Sequence, residues 1–189
     1  MKRLPLFAEC LTAGVLVVLA ALPVVTLLPA LAAGCAHVKA HVDGESTALR
    51  AFLDRVRDAS RCGLGPSIAV VAGFGALAAD VAVLRRVDLP GGGVVGAVCV
   101  AAAVGLAVVV LRAAADWSPT ERWSTLLRSA ARRGTSDVGG SLLLVMALGV
   151  LAVITWQLPP LVVPMLGCVL MAAVAVERRH AGLRDAEHL

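Results

Sequence analysis

VGGSLLLVMALGVLAVITWQLPPLVVPMLGCVLMAAVAV, residues 138–176, runs for 39 positions without an Asp, Glu, Lys or Arg. A helix needs ~20 apolar residues to cross a hydrocarbon core about 30 Å thick, and one central charge costs ~2.5–3.5 kcal/mol on insertion. This run is long enough for two crossings, with Pro159-Pro160 at its middle as the turn. Three more charge-free runs precede it: Cys10–Val38, Cys62–Ala79 and Leu89–Leu111. The fold class is therefore all-α, a single polytopic membrane domain over 1–189. Its five transmembrane helices are expected at about 7–33, 63–84, 91–111, 138–158 and 160–176, with two cytoplasmic amphipathic helices at about 46–61 and 119–133.

Composition agrees. Hydrophobic residues form 59% of the chain and charged ones 16%, too little polar surface to cover a water-soluble fold of this size. Aromatics are only 3%, and Ala, Val, Leu and Gly dominate, a vocabulary that lets helices approach closely in lipid. The net charge of +4 comes from arginines scattered through short loops beside the spans. Anionic lipid headgroups are their natural partner, and without interleaved aromatics they make no nucleic-acid surface.

Charge placement sets the expected orientation. With five spans, one face receives Lys2, Arg3, Arg85 and Arg86, leaving 13 of the 17 basic residues on the other. The positive-inside rule makes the richer face cytoplasmic, with the N-terminus outside and the C-terminus inside the cell membrane. Lys2-Arg3, the apolar run and Leu31-Ala32-Ala33-Gly34-Cys35 imitate a signal peptide. The run is far longer than a signal's apolar core and two prolines interrupt it, so the first span is expected to be retained.

Within that span, Pro23 and Pro29 each remove a backbone donor and crowd the carbonyl four residues earlier, those of Leu19 and Val25. Thr26 can offer its hydroxyl to such carbonyls, so the helix should bend or break there. A packing kink is one consequence; a hinge or pocket formed by Pro23, Thr26 and Pro29 is the other. After it, Leu49, Phe52, Leu53 and Val56 repeat at helical spacing amid Arg50, Asp54, Arg55, Arg57, Asp58 and Arg61, with Asp43 or Ser46 as the cap. Gly63, Gly65 and Pro66 should end that helix before span two. Ser118-Pro119-Thr120-Glu121 has the form of a capping box, followed by the apolar stripe Trp123, Leu126, Leu127, Ala130 and ended by Gly134. Arg55, Arg57, Trp123, Arg128, Arg132 and Arg133 are the candidate residues for docking on lipid or a partner. In span three, Gly92-x-x-x-Gly96 continues through Ala97, Ala101 and Gly105 as a face for close helix contact. Pro164 fits the first turn of span five.

Catalytic chemistry is not expected. His37 and His41 share a helix face at a spacing used by metal-binding helices, but no acid lies between them and a third ligand would have to come from Asp43 or elsewhere. Interfacial histidines are the simpler interpretation, so no metal site and no cofactor is assigned. Asp80 is the one carboxylate well inside a span boundary, a candidate intramembrane acid near Arg85, with Glu9 on the same outer face. Gly91-Gly92-Gly93 lacks the Lys-Ser/Thr of a phosphate loop, and no G-x-S-x-G elbow occurs. The five cysteines are widely spaced without a C-x-x-C.

Leu22-Pro23-Val24-Val25-Thr26-Leu27-Leu28-Pro29-Ala30, then Lys39, Asp43-Gly44-Glu45 and Phe52, resembles the YesL-like family of small bacterial integral membrane proteins. The layout is similar over the whole chain and the motif over about Leu22–Phe52. The family is a domain of unknown function often encoded near carbohydrate-uptake genes. The resemblance implies membrane residence and a link to sugar import, and no catalytic residues. The function expected is a non-enzymatic accessory or regulatory membrane component, its inner helices docking lipid or another membrane or transport protein. The alternative is a small-solute transporter, or a subunit of one, built on the broken first helix and Asp80.

Overall fold

The computed structural model describes residues 3–44, 48–86 and 91–187, with side chains placed between residues 11 and 180. Ser46, Leu89-Pro90, the Glu9 carboxylate and the Cys10 thiol lie outside these described parts. Among the described residues there are seven α-helices and no strand: α1 (Arg3–Ala20), α2 (Leu27–Val42), α3 (Leu49–Leu84), α4 (Gly92–Ala115), α5 (Trp123–Ser136), α6 (Val138–Gln157) and α7 (Val162–Glu187). Short 3-10 turns, Val24–Thr26 and Pro159–Leu161, lead into α2 and α7. Five segments are long and apolar enough to cross a membrane: Val24–Val42, Leu49–Leu84, Gly92–Ala115, Val138–Gln157 and Pro159–His180. The chain has the build of a multi-pass membrane protein.

The first apolar run departs from a single bent span over 7–33. It divides into α1 and α2, and Val17 packs against Gly34, where an added Cβ would lie 2.4 Å from Val17 Cγ2. A straight helix would hold positions 17 residues apart at about 25 Å, so the break redirects α2 across α1. Pro23 lies in the turn, while Pro29 sits in the first turn of α2, where no intrahelical N–H is needed. The Thr26 hydroxyl donates to the carbonyls of Ala20 and Pro23 rather than to that of Leu19, which accepts the Leu22 N–H. The Leu28 N–H, an orphan of the α2 N-terminus, is met by Ser67 Oγ of α3 at 3.3 Å. Helix α2 thus becomes the central element, packed on α1, α3, α4 and α7.

No break separates the expected helix over 46–61 from span two. Helix α3 runs 36 residues straight through Pro66, because Phe52, Ala59, Gly63, Ser67 and Val70 form one continuous buried stripe on both sides of the proline. Burying that stripe outweighs the ~3 kcal/mol that an interior proline costs. Gly63 acts as a notch rather than a helix stop: a Cβ there would lie 2.8 Å from Trp123 Nε1 and 3.2 Å from Pro29 Cγ. Of the expected apolar stripe only Phe52 is buried; Leu49 and Leu53 are exposed. At 1.5 Å per residue, α3 is about 54 Å long, so its charged first half extends well beyond a bilayer core.

Two other local signals resolve differently. Ser118–Glu121 forms a turn, with the Glu121 N–H donating to the Ser118 carbonyl at 3.3 Å, and the helix starts at Trp123. Pro119 suits the second position of a turn as well as the first of a helix, so the motif alone does not choose. Gly134 does not stop α5, which continues to Ser136. On α4, Ala97, Ala101 and Gly105 are exposed, and nothing lies within 4 Å of a Cβ at Gly96 or Gly105. Among the described residues this face is not used for burial at Ala97, Ala101 or Gly105; α4 buries Val108 and Val110–Ala115 instead. The Pro159-Pro160 turn and Pro164 in the first turn of α7 are as expected.

Candidate functional site at the charged end

Helix α4 ends its charge-free run with Arg112, whose side chain is completely buried. A buried guanidinium must be neutralised and hydrogen-bonded. Its NH2 reaches Asp137 Oδ2 at 2.9 Å, the Asp137 carbonyl at 3.2 Å and Ser141 Oγ at 3.3 Å, while NH1 reaches Glu177 Oε1 at 3.4 Å. Asp137 is the single residue between α5 and α6. Its Oδ1 accepts the Gly140 N–H at 2.9 Å, so it caps α6 and receives Arg112 together. That backbone hydrogen bond, followed by the Arg112 guanidinium, holds the Asp137 carboxyl below its ordinary range.

A second arginine completes the cluster. Arg133 of α5 pairs with Asp116 at 2.8 Å and approaches Glu177 Oε2 at 3.8 Å, so Glu177 lies between two guanidiniums. Ser141 Oγ donates to the Gly134 carbonyl at 2.8 Å. The approach of α6 depends on Gly140, where a Cβ would stand 2.1 Å from Asp137 Oδ2, 2.6 Å from Arg112 NH2 and 2.7 Å from Val176 Cγ1. The network ties α4, α5, α6 and α7 together at one end. Arg178 of α7 adds Asp43, the C-cap of α2, at 2.8 Å. Asp43 therefore ends α2 and does not cap α3.

Helix α5 lies across this end as a pinned element. Trp123, Leu126 and Ala130 are buried, and Trp123 Nε1 donates to the Ala59 carbonyl of α3 at 3.3 Å. Trp123, a candidate for lipid or partner docking, is thus used inside the chain. Arg133 is likewise held in ion pairs, with Asp116 and Glu177, while still lining the groove described next. Arg128 and Arg132 are exposed, and with Ser124, Thr125, Ser129 and Arg133 they line a groove of about 420 Å³. On α3, Arg57 is exposed and Arg55 half-buried.

The other sequence candidates are dispersed. Asp80 is exposed on α3 and makes no ion pair with Arg85 among the described residues. His37 is buried edge-on to Phe52, ring centroids 6.0 Å apart, and His41 is half-buried. Pro23 and Thr26 stand at the α1–α2 turn, while Pro29, in the first turn of α2, lies at the Gly63 notch beside Trp123. Among the described residues no group of three or more His, Cys, Asp and Glu is placed to hold a metal ion.

Arg112, Asp137, Glu177 and Gly140 were not among the sequence candidates. A signal for the first three was present: Arg112 directly follows one charge-free run, and Asp137 and Glu177 directly flank another. Charges at such edges read as span limits, and only packing shows that these three face one another. Comparisons with protein-family models, curated proteins and solved structures return no match.

Proposed function

We propose that the protein is a non-enzymatic accessory or regulatory component of the cell membrane. Its charged end faces the cytoplasm, and the outer face of α5 engages anionic headgroups or a neighbouring membrane protein. The observation that carries this is the division of α5. One face is locked onto the bundle by Trp123, Leu126 and Arg133, while Arg128 and Arg132 project from the other without an ion pair among the described residues. Guanidiniums held at a fixed position beside the apolar spans suit anionic surfaces, at about 1 kcal/mol each. The concentration of 13 of 17 basic residues on one face supports the cytoplasmic assignment. The Leu22–Ala30 motif supports a YesL-like affiliation and, through it, a link to carbohydrate uptake.

Arg128→Glu with Arg132→Glu tests docking while leaving the Arg133 ion pairs intact. In inverted vesicles the parent should protect Thr120–Gly134 from protease and the double variant should expose it; equal cleavage of both would reject docking. Cys62 is exposed beside the segment that leads from Pro119 into the start of α5 and tests orientation. An impermeant maleimide should label it in inverted vesicles and leave it untouched in intact cells. The transport alternative draws on the Pro23 break and Asp80, but Thr26 occupies the carbonyls of Ala20 and Pro23 at that break, and Asp80 is exposed on α3. Solute uptake by purified protein in liposomes would favour it over docking.

A further inference from the structure

The groove on α5 has a built order. Its lining forms two adjacent rows at four-residue spacing, Ser124-Arg128-Arg132 and Thr125-Ser129-Arg133. Residues four apart on a helix are neighbours, so each row presents its side chains together. Among the described residues, three guanidiniums and three hydroxyls line it and no carboxylate does. Two members are already committed: Arg133 to Asp116, and Ser129, which donates to the Leu126 carbonyl at 2.9 Å and accepts from Arg133 NH2 at 3.4 Å. Among the described residues, the guanidiniums of Arg128 and Arg132 make no ion pair and the hydroxyls of Ser124 and Thr125 no hydrogen bond. Four donor groups with two uncompensated positive charges therefore converge on one concavity.

Phosphate matches this donor set, since its oxygens accept several charge-assisted hydrogen bonds at once and arginine presents paired N–H groups to them. Position selects the source. Helix α5 joins α6 through Asp137 alone, and the first turns of α6 expose Val138, Leu142, Leu143 and Met146, an apolar surface suited to acyl chains. A phosphate in the groove would sit where the apolar spans meet the charged end, at headgroup level. We propose that this groove is a binding site for one phosphate group, that of an anionic phospholipid lying against α6. The site rests on the docking of α5 at the membrane and gives that docking a defined stoichiometry.

The test uses the lipid-depleted full-length protein in detergent, titrated with phosphatidylglycerol or phosphatidylcholine and read by native mass spectrometry. One phosphatidylglycerol per chain should be retained in preference to phosphatidylcholine. Arg128→Ala with Arg132→Ala should weaken retention about thirtyfold, the combined weight of two guanidiniums near an anionic group. Ser124→Ala with Thr125→Ala changes no charge and should still weaken it several-fold. If Arg50→Ala with Arg57→Ala on α3 weakens retention as much as the α5 arginine pair does, attraction is diffuse and the site is refuted, while docking still stands on its protease test. If the hydroxyl pair has no effect, a defined phosphate site is likewise refuted. Displacement of the lipid by inorganic phosphate at equal concentration would overturn the lipid source in favour of a soluble phosphate compound.

Discussion

Replacing Arg112 by Met keeps much of the side-chain volume and removes the charge. Asp137 is 25% exposed and keeps the Gly140 N–H, so water can take over part of its lost bond. Glu177 is only 7% exposed and loses its partner at 3.4 Å, keeping Arg133 at 3.8 Å. Taking one member from a buried ion pair costs about 3–5 kcal/mol, chiefly because the remaining charge is stranded. Arg112→Met should therefore destabilise by roughly that amount. Adding Glu177→Gln removes the stranded charge and should recover a good part of the loss, a coupling of about 1–3 kcal/mol. Reversible unfolding in mixed micelles, followed by helical circular dichroism across the double-mutant cycle, measures both. A single variant within about 0.5 kcal/mol of the parent, or a cycle with strictly additive effects, would show that the cluster does not hold the helix ends together.

Gly140→Ala should destabilise by about 1–3 kcal/mol through overpacking against Asp137, Arg112 and Val176. Gly134→Ala, with open space around it, should stabilise α5 by about 0.5–1 kcal/mol, and thermal shifts of the two variants should move in opposite directions. Because the native pKa of Asp137 is depressed, its contribution is complete above the ordinary value of 3.8 and is lost as pH falls through the lower native one. Asp137→Asn should flatten that acid limb of stability against pH and lower the plateau above it. Thr26→Val should cost about 1–2 kcal/mol by leaving the Ala20 and Pro23 carbonyls without their hydroxyl donor, measured by the same unfolding assay.

Much of the fold was legible in residue order because lipid is an unforgiving solvent. A charge-free stretch of sufficient length has few alternatives to a spanning helix, so the runs ending at Ala79, Leu111 and Val176 marked helices without knowledge of their neighbours. The stripe Trp123, Leu126, Ala130 was equally readable, since periodicity reports which face of a helix seeks cover. Local signals with two outcomes were another matter. Pro66 and Gly134 are each compatible with a helix that stops or one that continues, and the Ser118–Glu121 motif with a helix start or a turn; at Pro66 the choice fell to partners far along the chain.

Sequence by itself determined that this is an all-helical chain with five apolar helices of spanning length. The energies responsible are those of individual residues against lipid, and they add along the chain. Only tertiary structure decided that α2 turns across α1 to become the central helix, that α3 carries its buried stripe through Pro66, and that Arg112, Asp137 and Glu177 meet. Those outcomes depend on which surfaces touch. A guanidinium at residue 112 acquires its role from a carboxylate 65 positions later. Nothing in the immediate neighbourhood of either residue encodes that meeting, because burial makes each charge depend on the other while sequence distance leaves no trace of it.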